Sequence, residues 1–225
     1  NGITPALVLD EGGAVVEKVF PGVKEPCAMI GIAEKGMIDV CYRAKSAGGH
    51  ASAPKPNSPI PSLAEACCKI EENPFKMHIT KPVKEMFDTL GRHSNFLYRM
   101  IFANLWLFSP VLGLLGKIQG GEMNALLRTT VAFTKAQGSD AFNVIPTEAK
   151  LVSNLRLNPK DTMDSAIEFL KKTVDDKKIE ITAISGMNPS RISQTNCEAW
   201  DKVATAVAST WKGALVSPYL MVQCS

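Results

Sequence analysis

Several features that mark specialised classes of protein are missing from this sequence of 225 residues. Its six cysteines form no Cys-x-x-Cys pair, and a chain of this length needs no disulfides to stabilise a core. The 25 Lys and Arg residues are scattered among 22 acids, which excludes the basic stripe of a nucleic-acid-binding protein. The N-terminus shows no charged start followed by an apolar run and a cleavage site. We therefore expect reduced thiols, a cytoplasmic location and no nucleic-acid partner.

The sequence also lacks an uninterrupted apolar run of the roughly 20 residues that cross a bilayer. Residues 96–115 come nearest, but Arg99, Asn104 and Pro110 interrupt them, and each is costly or disruptive in lipid. We interpret this stretch as a pair of core helices broken at Ser109 and Pro110. We expect no membrane partner, and association with membranes through these residues is a weaker alternative.

The residues that are present, 45% hydrophobic and 21% charged, are typical of a globular protein with a packed core. Alternation of Ile38, Val40 and Tyr42 with polar or smaller neighbours predicts a strand, and Leu63, Cys67 and Ile70 recur at helical spacing behind Pro61. The same criteria predict strands at 6–9, 28–33, 37–44, 127–135, 149–157 and 179–184, and helices after Pro61, at 162–174 and at 197–211.

A helical tract at 73–121, divided by prolines, interrupts this pattern, and we treat it as an insertion. Without it, the order from 37 to 185 is strand, helix, strand, strand, helix, strand. This order predicts an α+β, ferredoxin-like fold, in which an antiparallel four-stranded sheet carries two helices on one face. Pairing the same exposed edge of two copies would make a symmetric dimer, which we expect.

Three places combine residues suited to chemistry. Asp10 and Glu11 precede a Gly-Gly turn at the end of a predicted strand, and Gly48 and Gly49 precede His50. Asn143 lies on a loop thirteen residues before Arg156, and an amide with a guanidinium fork suits a carboxylate. From the residues alone, each place also fits an ordinary structural role: turn acids, a loop histidine bonded to its own backbone, a turn asparagine and a solvated arginine.

Seven motifs together resemble those of a known family. They are LDEGG at 9–13, EKG at 34–36, GGHASAP at 48–54, NLWLFSP at 104–110, RTT at 128–130, FNVIP at 142–146 and NLRLNP at 154–159. The sequence resembles, over nearly its whole length, the dinuclear zinc amidohydrolases that include carboxypeptidase S, aminoacylase, glutamate carboxypeptidase and the N-acyl amino acid hydrolases. The NLWLFSP tract and the insertion are similar to the carboxypeptidase S branch in particular.

The resemblance implies a role for each candidate residue. Glu11, rather than Asp10, would ligate one of two zinc ions, and His50 would reach the partner subunit's active site to stabilise an oxyanion. Asn143 and Arg156 would hold the substrate's carboxylate. The implied reaction is attack of a zinc-activated water on an amide bond beside a free carboxylate, in a peptide or an N-acyl amino acid.

The resemblance also implies a domain division, with parts of an α/β catalytic domain at 1–34 and 188–225. A lid and dimerisation domain would occupy 35–187, with the helical insertion at about 73–125. The family's HxD pair, bridging aspartate, Glu-Glu pair and final histidine are not in this sequence. We therefore expect an internal fragment that by itself binds no zinc and is inactive. The rival interpretation is a non-catalytic dimerisation module with the same fold.

Overall fold

The computed structural model describes residues 2, 5, 7–10, 13–20 and 22–223. The strands are β1 (Ala14–Val16), β2 (Cys27–Glu34), β3 (Gly36–Lys45), β4 (Gly49–His50), β5 (Thr130–Gln137), β6 (Val144–Ile145), β7 (Glu148–Leu157), β8 (Ile179–Met187) and β9 (Leu215–Met221). The helices are α1 (Pro59–Glu72), α2 (Lys81–Arg92), α3 (Phe96–Ala103), α4 (Leu105–Gln119), α5 (Gly121–Leu127), α6 (Met163–Val174) and α7 (Glu198–Thr210).

The chain forms two compact units. The first comprises Asn1–Glu34, Ile79–Leu127 and Ser190–Ser225, and the second comprises Lys35–His78 and Arg128–Pro189. Helices α2 to α5, which the sequence suggested as an insertion in the lid, therefore lie in the first unit.

The second unit contains the four-stranded antiparallel sheet, in the order β5-β7-β3-β8. Helices α1 and α6 pack against each other and against this sheet. Reading only these six elements along the chain gives β3, α1, β5, β7, α6 and β8, which is the ferredoxin-like connection. The predicted fold is confirmed, and it leaves β5 and β8 as the two edge strands.

Alternation along β3 builds the core of this unit. Ile38, Val40 and Tyr42 are fully buried under α1 and α6, while the intervening residues face the other side of the sheet. The buried Tyr42 hydroxyl is 3.0 Å from Ser153 Oγ on β7, so its polar atom has a partner. Burial raises the pKa of Tyr42 to about 12. The strand predicted at 37–44 is confirmed.

The start of α6 is fixed by reciprocal capping. The Thr162 hydroxyl accepts the Ser165 backbone N–H at 3.1 Å, and the Ser165 hydroxyl accepts the Thr162 N–H at 2.8 Å. Lys171 and Lys172 lie in the last turn, where they complement the helix dipole. The predicted helix at 162–174 is confirmed to within one residue.

The first unit holds a smaller sheet, in the order β1-β2-β9, in which β1 is antiparallel and β9 parallel to β2. Helix α2 packs against β9 and α3. A cluster of rings, Phe20, Phe87, Tyr98 and Phe102, fills the space between α2 and α3, with Phe87 and Phe102 stacked at 4.8 Å. Aromatic packing therefore fixes the two helices to each other.

The strand predicted at 6–9 is wrong for residues 7–9, and Ala6 lies outside the described residues. Leu7, Val8 and Leu9 lie outside any strand and are 44%, 73% and 68% exposed. An apolar run becomes a buried strand only where a neighbouring strand completes its hydrogen bonds, and none among the described residues pairs with this one.

The helix break predicted at Ser109 and Pro110 is also wrong. The break lies at Asn104, which ends α3 and begins α4, while Pro110 lies inside α4. Asn104 Nδ2 donates to the Met100 carbonyl oxygen at 2.9 Å, which satisfies an open carbonyl at the end of α3.

Helices α3 and α4 are not core helices, contrary to the sequence interpretation. Phe96, Trp106 and Ile118 are 81%, 79% and 72% exposed. Within the described ranges, no single helix is long and apolar enough to cross a membrane, and α3 and α4 meet those criteria only as a pair bent by 107°.

Candidate functional site

A short two-stranded ribbon holds His50 beside Asn143. In it, β4 pairs with β6, with Gly49 opposite Ile145 and His50 opposite Val144. The Ala51 N–H donates to the Asn143 carbonyl oxygen at 2.9 Å. Both side chains lie on the exposed surface. The structure therefore brings together two of the residues that the sequence singled out.

The ribbon is anchored to the four-stranded sheet. It continues the pairing of β3 with β7, whose last register pair is Lys45 with Glu148. Ser46 ties the two sides together, because its N–H donates to the Thr147 carbonyl at 2.8 Å and its hydroxyl donates to the Pro146 carbonyl at 2.9 Å. His50 is thus carried on a braced extension of the sheet.

Local hydrogen bonds orient the His50 ring. Its Nδ1 accepts the Ser52 backbone N–H at 3.2 Å and lies 2.8 Å from the Ser52 hydroxyl. Because a backbone N–H can only donate, these bonds assign the proton of the neutral ring to Nε2. The Nε2–H is then a donor suited to an oxygen that gains negative charge.

Of the two glycines before His50, only Gly48 needs its conformational freedom. Its φ is +70°, and a Cβ there would lie 2.9 Å from Thr147 Cγ2. A Cβ on Gly49 would meet nothing nearer than Ile145 Cδ1 at 3.9 Å. The structure therefore assigns the tight turn before His50 to Gly48.

This difference gives a matched pair of variants. We expect Gly48→Ala to destabilise the folded chain by about 1–2 kcal/mol, because a non-glycine residue at positive φ is strained. Gly49→Ala should change the free energy of unfolding by less than about 0.5 kcal/mol. Denaturant unfolding of the two variants measures both, and equal effects would contradict the assignment.

Arg156 lies far from this ribbon within one chain. It sits near the end of β7, eight residues beyond Glu148, and a rise of roughly 3.3 Å per residue places their Cα atoms about 26 Å apart. The sequence suggested that Asn143 and Arg156 bind one carboxylate together. Within a single chain they lie too far apart to do so. The length of the extended strand separates them.

The Arg156 guanidinium retains unused donor capacity. Its Nη1 is buried and has no hydrogen-bond partner among the described residues. None of the salt bridges among these residues involves Arg156. The neighbouring acid on the same sheet face, Asp39, accepts hydrogen bonds from Asn154 at 2.8 Å and Ser185 at 3.0 Å. The sequence analysis did not identify Asp39 and Asn154 as polar neighbours of Arg156. Period-two alternation along β3 and β7 places these three side chains on one face of the sheet.

The structure supports no metal centre among the residues that it describes. It contains no group of three or more His, Cys, Asp or Glu side chains arranged to hold an ion. Asp10 lies in exposed coil, and Glu11, the preferred ligand in the sequence analysis, lies outside the described residues. A zinc site needs at least three protein ligands, so the described residues do not fit one by themselves.

Comparison with known proteins identifies relatives along the whole chain. This chain is 33% identical to the probable carboxypeptidase S-like 2 of Dictyostelium discoideum. The alignment spans 225 residues and covers 99% of this chain and 43% of that protein. It is 31% identical over 224 residues to the N-fatty-acyl-amino acid synthase/hydrolase PM20D1 of Xenopus tropicalis, covering 99% and 44%. The chain thus spans less than half the length of these relatives.

A solved structure shares the fold. The M20 family metallo-carboxypeptidase Sso-CP2 of Sulfolobus solfataricus superimposes with a TM-score of 0.58 at 17% identity, over 88% of this chain and 54% of that one. Residues 32–196 match the peptidase dimerisation domain of the M20 peptidases. This match includes His50, Asn143 and Arg156, and the resemblance drawn from the motifs is confirmed. The chain belongs to the M20 peptidase dimerisation domain family.

Proposed function

We propose that the full-length protein is a hydrolase that cleaves an amide bond beside a free carboxylate, in a peptide or an N-acyl amino acid. In this proposal, the second unit supplies its substrate clamp and its dimer contact. Family membership supports the reaction class, and the two sequence relatives are named as a probable carboxypeptidase S-like protein and an N-fatty-acyl-amino acid synthase/hydrolase.

The observation that carries this proposal is the separation of the candidate residues along β7. His50 and Asn143 lie beyond one end of the strand and Arg156 near the other, about 26 Å from Glu148 by the rise of an extended strand. A small substrate cannot touch all three within one chain. A site that uses all three must take them from two chains.

Pairing of β5 with the β5 of a second copy would complete such a site. In the sheet, Thr130 at the start of β5 pairs with Arg156, and Gln137 at its end pairs with Lys150 near the ribbon. Two β5 edges related by a twofold axis run antiparallel, so the Gln137 end of one lies beside the Thr130 end of the other. His50 and Asn143 would thereby approach Arg156 of the partner subunit.

The ribbon tip has the exposure expected of a surface that meets another chain. Phe142, next to Asn143, is fully exposed, and Val144 is 46% exposed. Apolar side chains at the tip of a braced ribbon favour a covered position over solvent.

Each residue has a role that follows from its chemistry. The Nε2–H of His50 would donate to the carbonyl oxygen of the scissile amide as that oxygen gains charge. The Arg156 fork and the Asn143 amide would bind the substrate's carboxylate, which would satisfy the buried Nη1 donor. Zinc dependence is a separate proposal that the described residues do not carry, and none of these roles uses a metal.

Arg156→Ala in the full-length protein tests the clamp. We expect KM for a substrate with a free carboxylate to rise on the order of 10- to 100-fold, because a charge-assisted pair is lost, while kcat changes little. The methyl ester of the same substrate should be hydrolysed equally by variant and parent.

Arg43→Ala is the matched control, because Arg43 is already paired with Glu148 and Glu180 on the same sheet. It should leave KM unchanged. If Arg156→Ala behaves like Arg43→Ala, the clamp is absent, and the second unit is left with dimerisation alone.

A further inference from the structure

Asp39 is an acid that lies within reach of Arg156 without forming an ion pair with it. Arg156 pairs with Met37 in the register of β3 and β7, and Asp39 is the next residue of β3 on the same face of the sheet. Such diagonal neighbours lie about 7–8 Å apart, within reach of a long side chain. None of the salt bridges among the described residues joins the two, and Arg156 Nη1 is buried without a hydrogen-bond partner there.

Two neutral donors hold the Asp39 carboxylate instead. Asn154, its direct neighbour on β7, donates from Nδ2 to Oδ1 at 2.8 Å. Ser185, its direct neighbour on β8, donates from Oγ to Oδ2 at 3.0 Å. Each carboxylate oxygen therefore has a partner on a different strand. A turn of the carboxylate toward Arg156 on β7 would break the bond to Ser185 on β8.

The backbone of β8 is irregular at the point that supplies this serine. The register pairs Val40 with Ala183 and Asp39 with Ser185. Ile184 is therefore an extra residue, inserted into β8 by a β-bulge. Regular pairing would place Ile184 opposite Asp39, and the bulge places the Ser185 hydroxyl there. The strand is thus shaped to bring a hydrogen-bond donor to this carboxylate.

An arrangement that served stability alone would let the two charges satisfy each other. Arg43, on the same face of β3, does this, because it forms ion pairs with Glu148, a diagonal neighbour on β7, and with Glu180 on β8. Asp39 and Arg156 stay apart, and the unsatisfied Nη1 donor costs free energy of folding. This cost indicates that the guanidinium is kept open for a group from outside the chain.

We propose that Asn154 and Ser185 are positioning residues, which hold Asp39 away from Arg156 and so keep the guanidinium open for the substrate's carboxylate. The assignment rests on the proposed function, in which Arg156 binds that carboxylate. Asp39, once released, is a competing anion on the same sheet face. The substrate then binds only those molecules in which the ion pair is open, so its apparent affinity falls by that fraction.

Removing both donors from the full-length protein tests the proposal. We expect Asn154→Leu with Ser185→Ala to raise KM for a substrate with a free carboxylate about five- to ten-fold, while kcat changes little. Adding Asp39→Ala to this double variant should return KM to the parental value, because the competing anion is gone. A purely structural role of the two donors predicts the opposite, since a third substitution would add to the damage.

Thr182→Val is the matched control for the loss of a hydroxyl from β8. Thr182 lies on the same strand as Ser185, but it pairs with Cys41 and not with Asp39. This variant should leave KM unchanged.

The crystal structure of the double variant of the 225-residue chain gives a second measurement, which needs no activity. We expect a guanidinium nitrogen of Arg156 to lie within about 4 Å of a carboxylate oxygen of Asp39, the distance that defines an ion pair.

The two measurements separate this proposal from the function proposed above. A new ion pair, with a KM that rises and that Asp39→Ala restores, supports the positioning role. No ion pair in the double variant, or a triple variant with a higher KM than the double, overturns it even if the full-length protein hydrolyses such substrates. If the ion pair forms and the parental protein hydrolyses nothing, the restraint on Asp39 is supported and the proposed function fails.

Discussion

Mixing two variants of the full-length protein that are each impaired at substrate concentrations below KM should restore activity. We expect His50→Ala to lower kcat/KM by about 100-fold, since it loses an oxyanion donor, and Arg156→Ala to lower it on the order of 10- to 100-fold, since it loses a charge-assisted clamp. In a mixed dimer, one site receives the intact His50 and the intact Arg156, while the other site receives both defects. Random pairing should therefore recover about a quarter of the parental activity, and a purified mixed dimer about half.

The control for this experiment pairs His50→Ala with a double variant that carries both substitutions. Neither site of that mixed dimer contains an intact His50, so no activity should return. A site formed inside one chain would give no recovery in either mixture, and such a result would reject the shared site. The recovery is measured by initial rates after subunit exchange, with differently tagged chains to isolate the mixed dimer.

Adding lysines to the β5 edge should dissociate the proposed dimer and lower its proposed activity together. Thr134 and Ala136 are exposed on β5, and Lys135 lies between them. In an antiparallel pair of β5 edges, Thr134→Lys with Ala136→Lys brings like charges of the two copies together. We expect the dimer dissociation constant to rise on the order of 100-fold, and the hydrolysis rate at low protein concentration to fall with it.

The other edge of the same sheet provides the comparison. Thr182 and Ile184 are exposed on β8, so Thr182→Lys with Ile184→Lys makes an equal change of charge on the other edge strand. Sedimentation should show this variant to be as dimeric as the parent. If the β8 variant dissociates and the β5 variant does not, the pairing proposed for β5 is wrong.

The fold of the second unit could be predicted because its signals are local and periodic. Alternation at Ile38, Val40 and Tyr42 indicated the position of β3, and periodic apolar residues at 162–174 indicated α6. The order of six elements then limited the topology to a few choices. The separation of Asn143 from Arg156 was also within reach, since the predicted strand at 149–157 already implies an extended spacer between them.

Other features depend on contacts that no local pattern reveals. The apolar run at Leu7–Leu9 reads as a buried strand, yet burial depends on a partner strand that the pattern does not identify. The break at Asn104 came from a side chain that caps a helix end, while Pro110, the stronger local signal, was tolerated within α4.

The outward apolar side chains of α3 and α4 bear on how this chain behaves in concentrated solution. Trp106, Phe96 and Ile118 are exposed apolar side chains of the first unit, whereas β5 belongs to the second unit. A head-to-tail contact through these side chains would not close after two copies and would produce growing clusters, whereas a twofold strand pair stops at a dimer. Kosmotropic salts would strengthen the clusters, and size distributions taken in dilute, low-salt buffer would therefore report the strand pair alone.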